Sequence, residues 1–415
     1  MLLRIWFFLL WFLVIIEARD LKDLLYQSSK NSLLEAQEFQ TKALQAQKQA
    51  LYSSYLPKVE IGYTYTEFKN PDIFYPKNAN GAYLEVSWLL FDGLKREGKF
   101  VAADYQIQSS KLQTQAAQEQ IHLQIIQTYF QALGVESKIN ALKHQQKELE
   151  ESIAKYQTLV LSELASKDTL EAIKAQFSQN AYQLESANIT LRAYKERLSL
   201  LSGVEVEHLN PNTQLKSIEV YKTSSDTFAL QSKFYEVKSV EATTSQYTYF
   251  PTITFYNRYT NFDYRNRNIP TLPFPLTLQE PRYQNVFRID ISMTIFDALA
   301  TFKQRETSKF LALAANSEYF YQKDWQKREQ VIAKNALNSA KEKIKWAKSS
   351  LDSANIAYTY AKEKFNAELI DYTQYLQSLS LVFNAQSFYD EAQFDYEVKK
   401  AEFLFNNGEK LGDYL

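Results

Sequence analysis

Few residues in this chain of 415 have the types and spacing that a catalytic or metal site requires. The absence of cysteine excludes a disulfide framework, a thiolate metal site and a thiol nucleophile. The three histidines, His122, His144 and His208, fit no metal-binding or catalytic motif. Carboxylates such as Glu148 and Glu150 are typical of a solvated helix face. We therefore predict that the protein is not an enzyme and has neither a metal site nor a cofactor.

One segment has the spacing of a phosphate-binding loop. Gly93, Gly98 and Lys99 match GxxxxGK, but Phe100 stands where that motif needs a hydroxyl group for Mg²⁺. The corresponding segment of the second half of the chain, 298–303, contains no glycine. A turn from a strand into a helix explains the spacing, so we predict no nucleotide site. The net charge of −1 also argues against a nucleic-acid partner.

The N-terminal segment 1–18 has the composition of a secretory signal peptide. Arg4 precedes an apolar run over 5–16, and Ala18 offers a small residue for cleavage. This run is too short to span a bilayer comfortably. We predict a signal peptide at residues 1–18, with an uncleaved anchor as the alternative. No later segment resembles an apolar transmembrane helix, so membrane contact after export must be peripheral or through β-strands.

The rest of the chain contains an internal duplication. Residues 77–210 and residues 282–415 are runs of equal length that lack proline. Segment 84–92 resembles segment 289–297, and the same shift relates Gly203 to Gly408. The sequence therefore predicts two repeats, at residues 19–210 and 211–415.

Each repeat contains two segments whose hydrophobicity alternates with a period of two. Val59, Ile61, Tyr63 and Tyr65 form one such series. The clearest apolar series, predicted to face lipid, is Phe287, Ile289, Ile291, Met293 and Ile295. Segments of about ten residues with one apolar and one polar face are typical of transmembrane β-strands. We predict four such strands per chain, with their aromatic residues at the lipid interfaces.

The other segments have a helical period. Residues 21–55 predict a helix that ends before Pro57, and each strand pair is followed by a long helical segment that continues to the end of its repeat. Interruptions at 160–168 and 367–373 divide each long segment into a hairpin of coiled-coil character. Arms of roughly 50–65 residues would extend roughly 75–100 Å.

Four strands cannot close a barrel, and an open sheet edge is not tolerated in lipid. The missing strands must then come from other subunits, and three copies of the chain would supply twelve strands. The fold class predicted is thus mostly α with transmembrane β: helical hairpins plus four strands per chain, forming a trimeric 12-stranded barrel.

The order of these elements carries a resemblance to a known family. Segments 55–57 (Tyr-Leu-Pro) and 249–251 (Tyr-Phe-Pro) open the strand pairs, and 91–93 (Phe-Asp-Gly) and 296–298 (Phe-Asp-Ala) close them. With the duplication, the chain resembles the TolC family of outer-membrane factors. This resemblance implies a passive homotrimer, with a barrel in outer-membrane lipid and an α-helical tunnel through the periplasm. It also implies a periplasmic adaptor and an inner-membrane pump, for efflux of small molecules or, alternatively, type I protein secretion.

The resemblance extends to the hairpin tips. Segment 365–385 is similar to the segment that forms the inner hairpin tip in the family. Asp168 matches the aspartate of the family's outer hairpin tip. The periplasmic gate residues implied are Asp168, Glu368, Asp371, Gln374 and Gln377. The family often has an arginine at Ile370 and aspartates at Gln374 and Gln377, so we expect the negative charge to lie at Glu368 and Asp371 instead. Ordinary turn caps are the alternative interpretation of these residues.

Two other classes of protein are weaker interpretations. A periplasmic adaptor usually has one helical hairpin and glycine-containing β-domains, whereas this sequence predicts two hairpins and four amphipathic strands. An exported enzyme would need site residues that the sequence does not offer.

Overall fold

A computed structural model describes residues 20–69, 77–218, 225–265 and 282–415. The predicted signal peptide lies outside the described residues. The described chain is mostly helical with one four-stranded antiparallel sheet, so the predicted fold class is confirmed for the single chain. The helices are α1 (Leu21–Gln27), α2 (Ser32–Ser53), α3 (Lys95–Leu161), α4 (Lys167–Ser202), α5 (Phe228–Thr243), α6 (Ala300–Asn366) and α7 (Tyr372–Asn406). The strands are β1 (Lys58–Glu67), β2 (Asn78–Phe91), β3 (Thr252–Arg265) and β4 (Tyr283–Ser292).

The long helices of the two repeats are separated by the same number of residues as the repeated sequence segments. Helices α3 and α6 both have 67 residues, and both ends of α6 keep the shift that relates segment 84–92 to segment 289–297. Each is followed by a short turn and a helix of 36 or 35 residues. The two arms of each hairpin are therefore less equal in length than the sequence predicted. The repeat boundary between residues 210 and 211 stays a prediction.

The chain divides into two compact units. The helical unit contains the described parts of Met1–Ala36, Thr114–Ala229 and Lys323–Leu415. The sheet unit contains the described parts of Gln37–Gln113 and Leu230–Gln322, and it includes all four strands.

The predicted helix over residues 21–55 is interrupted. A 3-10 turn at Ser28–Lys30 follows α1, and Asn31 adopts an extended conformation before α2 begins. The side-chain carbonyl oxygen of Asn31 accepts a hydrogen bond from the backbone N–H of Leu33, at 2.9 Å. Its amide nitrogen donates to the Leu201 carbonyl, at 3.0 Å. A capping residue that also binds the end of α4 thus explains the break.

Both strand pairs are joined to a long helix by a capping aspartate. Asp92 accepts a hydrogen bond from the backbone N–H of Arg96 at 3.0 Å, and Asp297 accepts one from that of Thr301 at 2.8 Å. The Arg96 guanidinium also lies 3.3 Å from the Asp92 carboxylate and donates to the Ser54 carbonyl at 2.8 Å. These contacts fix the direction in which each helix leaves the sheet.

Each of these junctions needs two successive residues with a left-handed backbone. In the first repeat they are Gly93 and Leu94, with φ of 76° and 67°, and in the second Ala298 and Leu299, with φ of 53° and 67°. Non-glycine residues are strained in this region. A Cβ atom at Gly93 would in addition lie 3.0 Å from the Cβ of Phe250.

We expect the same position to respond in opposite ways in the two repeats. Replacing Ala298 by glycine relieves backbone strain and should raise the free energy of unfolding by about 1 kcal/mol. Replacing Gly93 by alanine should lower it by about 1–2 kcal/mol, since the new methyl group adds strain and a close contact. Denaturant unfolding in detergent measures both changes, and effects of equal sign would refute this account of the junctions.

Candidate functional site

The register of the sheet places apolar and polar residues on opposite faces. Ile61 lies opposite Leu84, Phe255 opposite Ile289, and Ile253 opposite Ile291. Directly paired residues of an antiparallel sheet share a face. The apolar face comprises Val59, Ile61, Tyr63, Tyr65, Leu84, Val86, Trp88, Ile253, Phe255, Tyr259, Phe287, Ile289 and Ile291. It extends over all four strands and is interrupted by Asn257 and Asn285, whose side chains are hydrogen-bonded to each other at 2.9 Å.

In β1 and in the middle of β2, the apolar face is the more exposed of the two. Along β1, Ile61, Tyr63 and Tyr65 are exposed, with 85% of Ile61 accessible, whereas Gly62 and Thr64 between them are half-buried. In β2, Leu84 and Trp88 of the apolar face are exposed next to half-buried Glu85 and Ser87. Residues 252–258 of β3 are half-buried on both faces, and β4 is exposed on both. A sheet that buries a core in water has the opposite arrangement. The chain thus presents a broad band of apolar and aromatic side chains outward.

The polar face carries a network of charged and aromatic side chains. Arg258 on β3 lies 3.7 Å from the Glu85 carboxylate on β2 and donates to the Thr64 hydroxyl on β1 at 3.2 Å. The Tyr256 hydroxyl donates to Glu85 at 2.9 Å, and the guanidinium of Arg288 lies over the Tyr256 ring at 4.8 Å. This network joins all four strands.

Both edges of the sheet lack a partner strand within the described chain. The strand order is β1-β2-β3-β4, so β1 and β4 each pair on one side only. Exposed apolar side chains continue from both edges into the neighbouring helices of the sheet unit. Those before β1 are Phe39, Tyr52 and Leu56, and those after β4 are Met293, Ile295, Phe296, Leu299, Phe302, Phe310 and Leu313. Met293 and Ile295, predicted as strand residues, thus follow the end of β4 at Ser292.

The turns at the two hairpin tips have the same geometry. Glu163 and Glu368 have left-handed backbones, with φ of 59° and 61°. The backbone N–H of the leucine after each glutamate donates to the carbonyl five residues earlier, at 2.8 Å in both turns. This is the Schellman arrangement, in which glycine is the usual left-handed residue.

The five predicted gate residues are all exposed at the hairpin tips. Asp168 lies in the first turn of α4, and Glu368 in the turn before α7. Asp371 is the N-cap of α7, where its carboxylate accepts a hydrogen bond from the backbone N–H of Gln374 at 2.8 Å. Gln377 follows one helical turn later. The turn-cap interpretation therefore holds for Asp371, which is compatible with a second role because its side chain stays exposed.

Behind these residues an aromatic tip cluster packs the two hairpins together. It comprises Tyr156 of α3, Tyr358 and Phe365 of α6, and Tyr372 and Tyr375 of α7. The rings of Phe365 and Tyr375 stack with centroids 4.9 Å apart, and those of Tyr156 and Tyr372 lie 4.7 Å apart. The Tyr358 and Tyr375 hydroxyls are 3.2 Å apart. Burial raises the pKa of Tyr372 to about 12 and raises that of Tyr375 further, so both hydroxyls stay protonated at a pH where an exposed tyrosine ionises.

Two further findings concern the residues that the structure describes. No group of three or more His, Asp or Glu residues there could hold a metal ion. No helix in the described ranges is both long and apolar enough to cross a membrane.

Comparison with known proteins gives structural relatives only. No protein-family model matches the chain, and no curated protein does. The outer membrane protein VceC of Vibrio cholerae matches with a TM-score of 0.81 and 12% identity, over 94% of this chain and 96% of VceC. The CmeC outer membrane channel of Campylobacter jejuni matches with a TM-score of 0.77 and 16% identity, over 95% of this chain and 85% of CmeC. A membrane protein from Pseudomonas aeruginosa has a TM-score of 0.82 and 14% identity, over 94% of this chain and 90% of that protein.

The chain has the fold of the TolC-like outer-membrane channels. The fold resemblance drawn from the sequence is thus confirmed along nearly the whole chain.

Sequence reasoning missed two features of this chain. The contacts of Arg258 join strands whose residues lie far apart in the sequence, so no local pattern indicates them. For the tip cluster a signal was present: Tyr358, Phe365, Tyr372 and Tyr375 recur at helical spacings on either side of the predicted turn. That signal identifies a buried stripe, but it does not show that the stripe joins the two hairpins.

Proposed function

We propose that this protein is a passive export channel of the bacterial outer membrane, in which three copies form one pore. One observation carries the proposal: in β1 and β2 the apolar face presents exposed side chains such as Ile61, Tyr63 and Leu84, next to half-buried residues of the polar face. Lipid is the solvent that suits an outward apolar band about one strand long, and water suits the enclosed polar face. The protein has no energy source of its own in this proposal, so transport is driven by other proteins.

The open edges of the sheet support the trimer. Unpaired backbone groups at β1 and β4 are costly in lipid, and pairing β4 of one copy with β1 of the next satisfies both edges. Such a head-to-tail interface closes into a ring. The apolar residues that continue from each edge along α2 and α6 would be covered by the same interface. Three copies give twelve strands, enough for a water-filled lumen.

The proposed partners follow from the missing energy source. A channel of this kind needs an inner-membrane pump and a periplasmic adaptor that joins the two. Outer-membrane channels such as CmeC have the same fold, and we propose small-molecule efflux as the function. The proposed location is the outer membrane, with the helices in the periplasm.

The hairpin tips are the proposed gate. Asp168, Glu368, Asp371, Gln374 and Gln377 would surround the periplasmic entrance, where threefold symmetry repeats each charge three times. A ring of carboxylates concentrates cations and repels anions. Lipid-facing residues in the same proposal are Phe287, Ile289, Ile291, Met293 and Ile295, the last two close to the membrane surface because they follow the strand.

Planar-bilayer recording of the purified full-length protein tests the channel directly. We expect discrete conductance steps with weak cation selectivity. A folded, detergent-extracted trimer that never conducts would overturn the proposal.

The gate charges are tested in the same recordings. The double substitution Glu368→Gln and Asp371→Asn removes six charges from a trimer, while asparagine still caps α7. The cation-to-anion permeability ratio should fall toward one, since the carboxylate ring is gone. The matched control is Asp324→Asn, an exposed aspartate in the first half of α6, far along that helix from the tip. Equal selectivity in the wild type, the double variant and the control would place the gate elsewhere.

A further inference from the structure

Arg258 lies flat against the polar face of the sheet, where it stacks on Tyr83, which in turn covers Gly62. Its guanidinium lies 3.7 Å from the centroid of the Tyr83 ring. The Tyr83 ring in turn covers Gly62 so closely that a Cβ atom there would lie 2.3 Å from the ring. The absence of a side chain at Gly62 therefore allows Tyr83 to lie flat, and Tyr83 provides the surface on which Arg258 rests.

The charge of Arg258 is placed beside two carboxylates. The register puts Glu60, Glu85 and Arg258 side by side on β1, β2 and β3. Arg258 contacts Glu85 at 3.7 Å and also binds Thr64, and 31% of its side chain stays exposed. Two other basic residues of this face, Lys58 and Arg288, pair with carboxylates on their own strands.

The described part of the polar face is charge-balanced. It carries three basic residues and three acidic residues. These are Lys58, Arg258 and Arg288, with Glu60, Glu85 and Asp290. Without Arg258, Glu85 would lie next to Glu60 with no cation of its own, because Lys58 pairs with Glu60. Each chain would then contribute one net negative charge.

We infer that Arg258, held by the stack on Tyr83 and Gly62, is a specificity-determining residue that keeps the barrel from selecting permeating ions by charge. This inference rests on the proposed channel function, in which the polar face lines the lumen. At this level of the pore, Arg258 balances the charge of Glu85 and Lys58 balances that of Glu60, so small cations and anions pass alike. Selection by charge is then left to the hairpin tips.

Reversal potentials in a KCl gradient, measured on the full-length protein in planar bilayers, test the inference. Arg258→Gln uncovers three net negative charges in the trimer and should raise the cation-to-anion permeability ratio about twofold or more, because charges in a confined pore create potentials of several kT. Glu85→Gln should shift the ratio toward anions. The double variant, Arg258→Gln with Glu85→Gln, should return it to the wild-type value, and Arg258→Lys should preserve it.

The same series separates the two proposals. A wild-type protein that forms no pore overturns the channel function itself. If the wild type conducts but Arg258→Gln leaves the ratio unchanged, or the double variant does not restore it, the inference about Arg258 is wrong. Glu85→Gln keeps the test decisive if Arg258→Gln does not assemble.

The stack has its own test. Gly62→Ala displaces Tyr83 from the wall and should lower the single-channel conductance, since Tyr83 and Arg258 would then project into the lumen. Gly134→Ala is the matched control, because a Cβ atom there has Phe394 as its nearest contact, at 3.8 Å. Unchanged conductance of assembled Gly62→Ala trimers would show that the stack does not shape the pore.

Discussion

Arginine in place of Ile291 is expected to disrupt assembly of the protein in the membrane, whereas arginine in place of the adjacent Ser292 is expected to have little effect. Ile291 belongs to the apolar face opposite Ile253, and Ser292 to the polar face opposite Thr252. A lipid-facing arginine costs about 2–4 kcal/mol at the bilayer midplane and less toward the interfaces. Ile289→Arg, which is nearer the middle of the sheet, should therefore be the most damaging of the three.

The amount of heat-modifiable trimer in outer-membrane fractions measures these effects, together with the free energy of unfolding in lipid. The three variants lie close together on one strand and introduce the same side chain, so differences in charge or size cannot explain a contrast. Equal losses at Ile291 and Ser292 would contradict the assignment of faces.

Loss of the Tyr375 ring is expected to loosen the hairpin tips. Only 7% of this residue is exposed, and its ring contacts Phe365, Tyr358 and Tyr372. Truncating a buried aromatic residue to alanine costs about 3–5 kcal/mol. Because these partners belong to both helices of the second hairpin, and Tyr372 contacts Tyr156 of the first, the destabilisation should appear where the two hairpins meet.

Hydrogen exchange of the tip amides and single-channel conductance measure this effect. Tyr375→Ala should speed exchange near residues 162–168 and 366–372 and should raise the conductance of the closed channel. Tyr375→Phe, which removes only the hydroxyl group, should cost about 1 kcal/mol. Tyr182→Ala is the exposed control, with 75% of the tyrosine accessible. Tips that exchange at the wild-type rate in Tyr375→Ala would show that the cluster does not hold them.

Local sequence patterns predicted most of the fold because the elements are long and regular. The alternation from Val59 to Tyr65 corresponds to β1. The interruptions predicted at 160–168 and 367–373 contain the hairpin turns, which the structure places at 162–166 and 367–371. The helical period over residues 21–55 was misleading because the hydrogen bonds of one residue interrupt the helix there. Asn31 ends a helix inside a continuous apolar period, because it caps α2 and binds α4 at the same time.

The candidate sites were less predictable because their chemistry depends on pairing between distant residues. Glu85 and Arg258 meet through the register of β2 and β3. Tyr156 of the first hairpin meets Tyr372 of the second through the packing of helices that lie far apart in the sequence. Left-handed Glu163, Ala298 and Glu368 occupy positions where glycine is the usual residue, so composition gave no sign of these turns. The assignment of apolar and polar residues to the two faces of the sheet was more predictable. It follows from the alternation of side chains along each strand and from the register between strands.

Cross-linking between the two sheet edges tests the central proposal, that β4 of one copy lies beside β1 of the next. The chain has no cysteine, so cysteines placed at Ile61 and Phe287 are the only thiols, and neighbouring strands lie about 4.8 Å apart. With a short bifunctional thiol reagent, the double variant in membranes should give covalent trimers in denaturing gels, while each single variant stays monomeric. Covalent dimers from a single variant, or only monomers from the double variant, would contradict a head-to-tail ring.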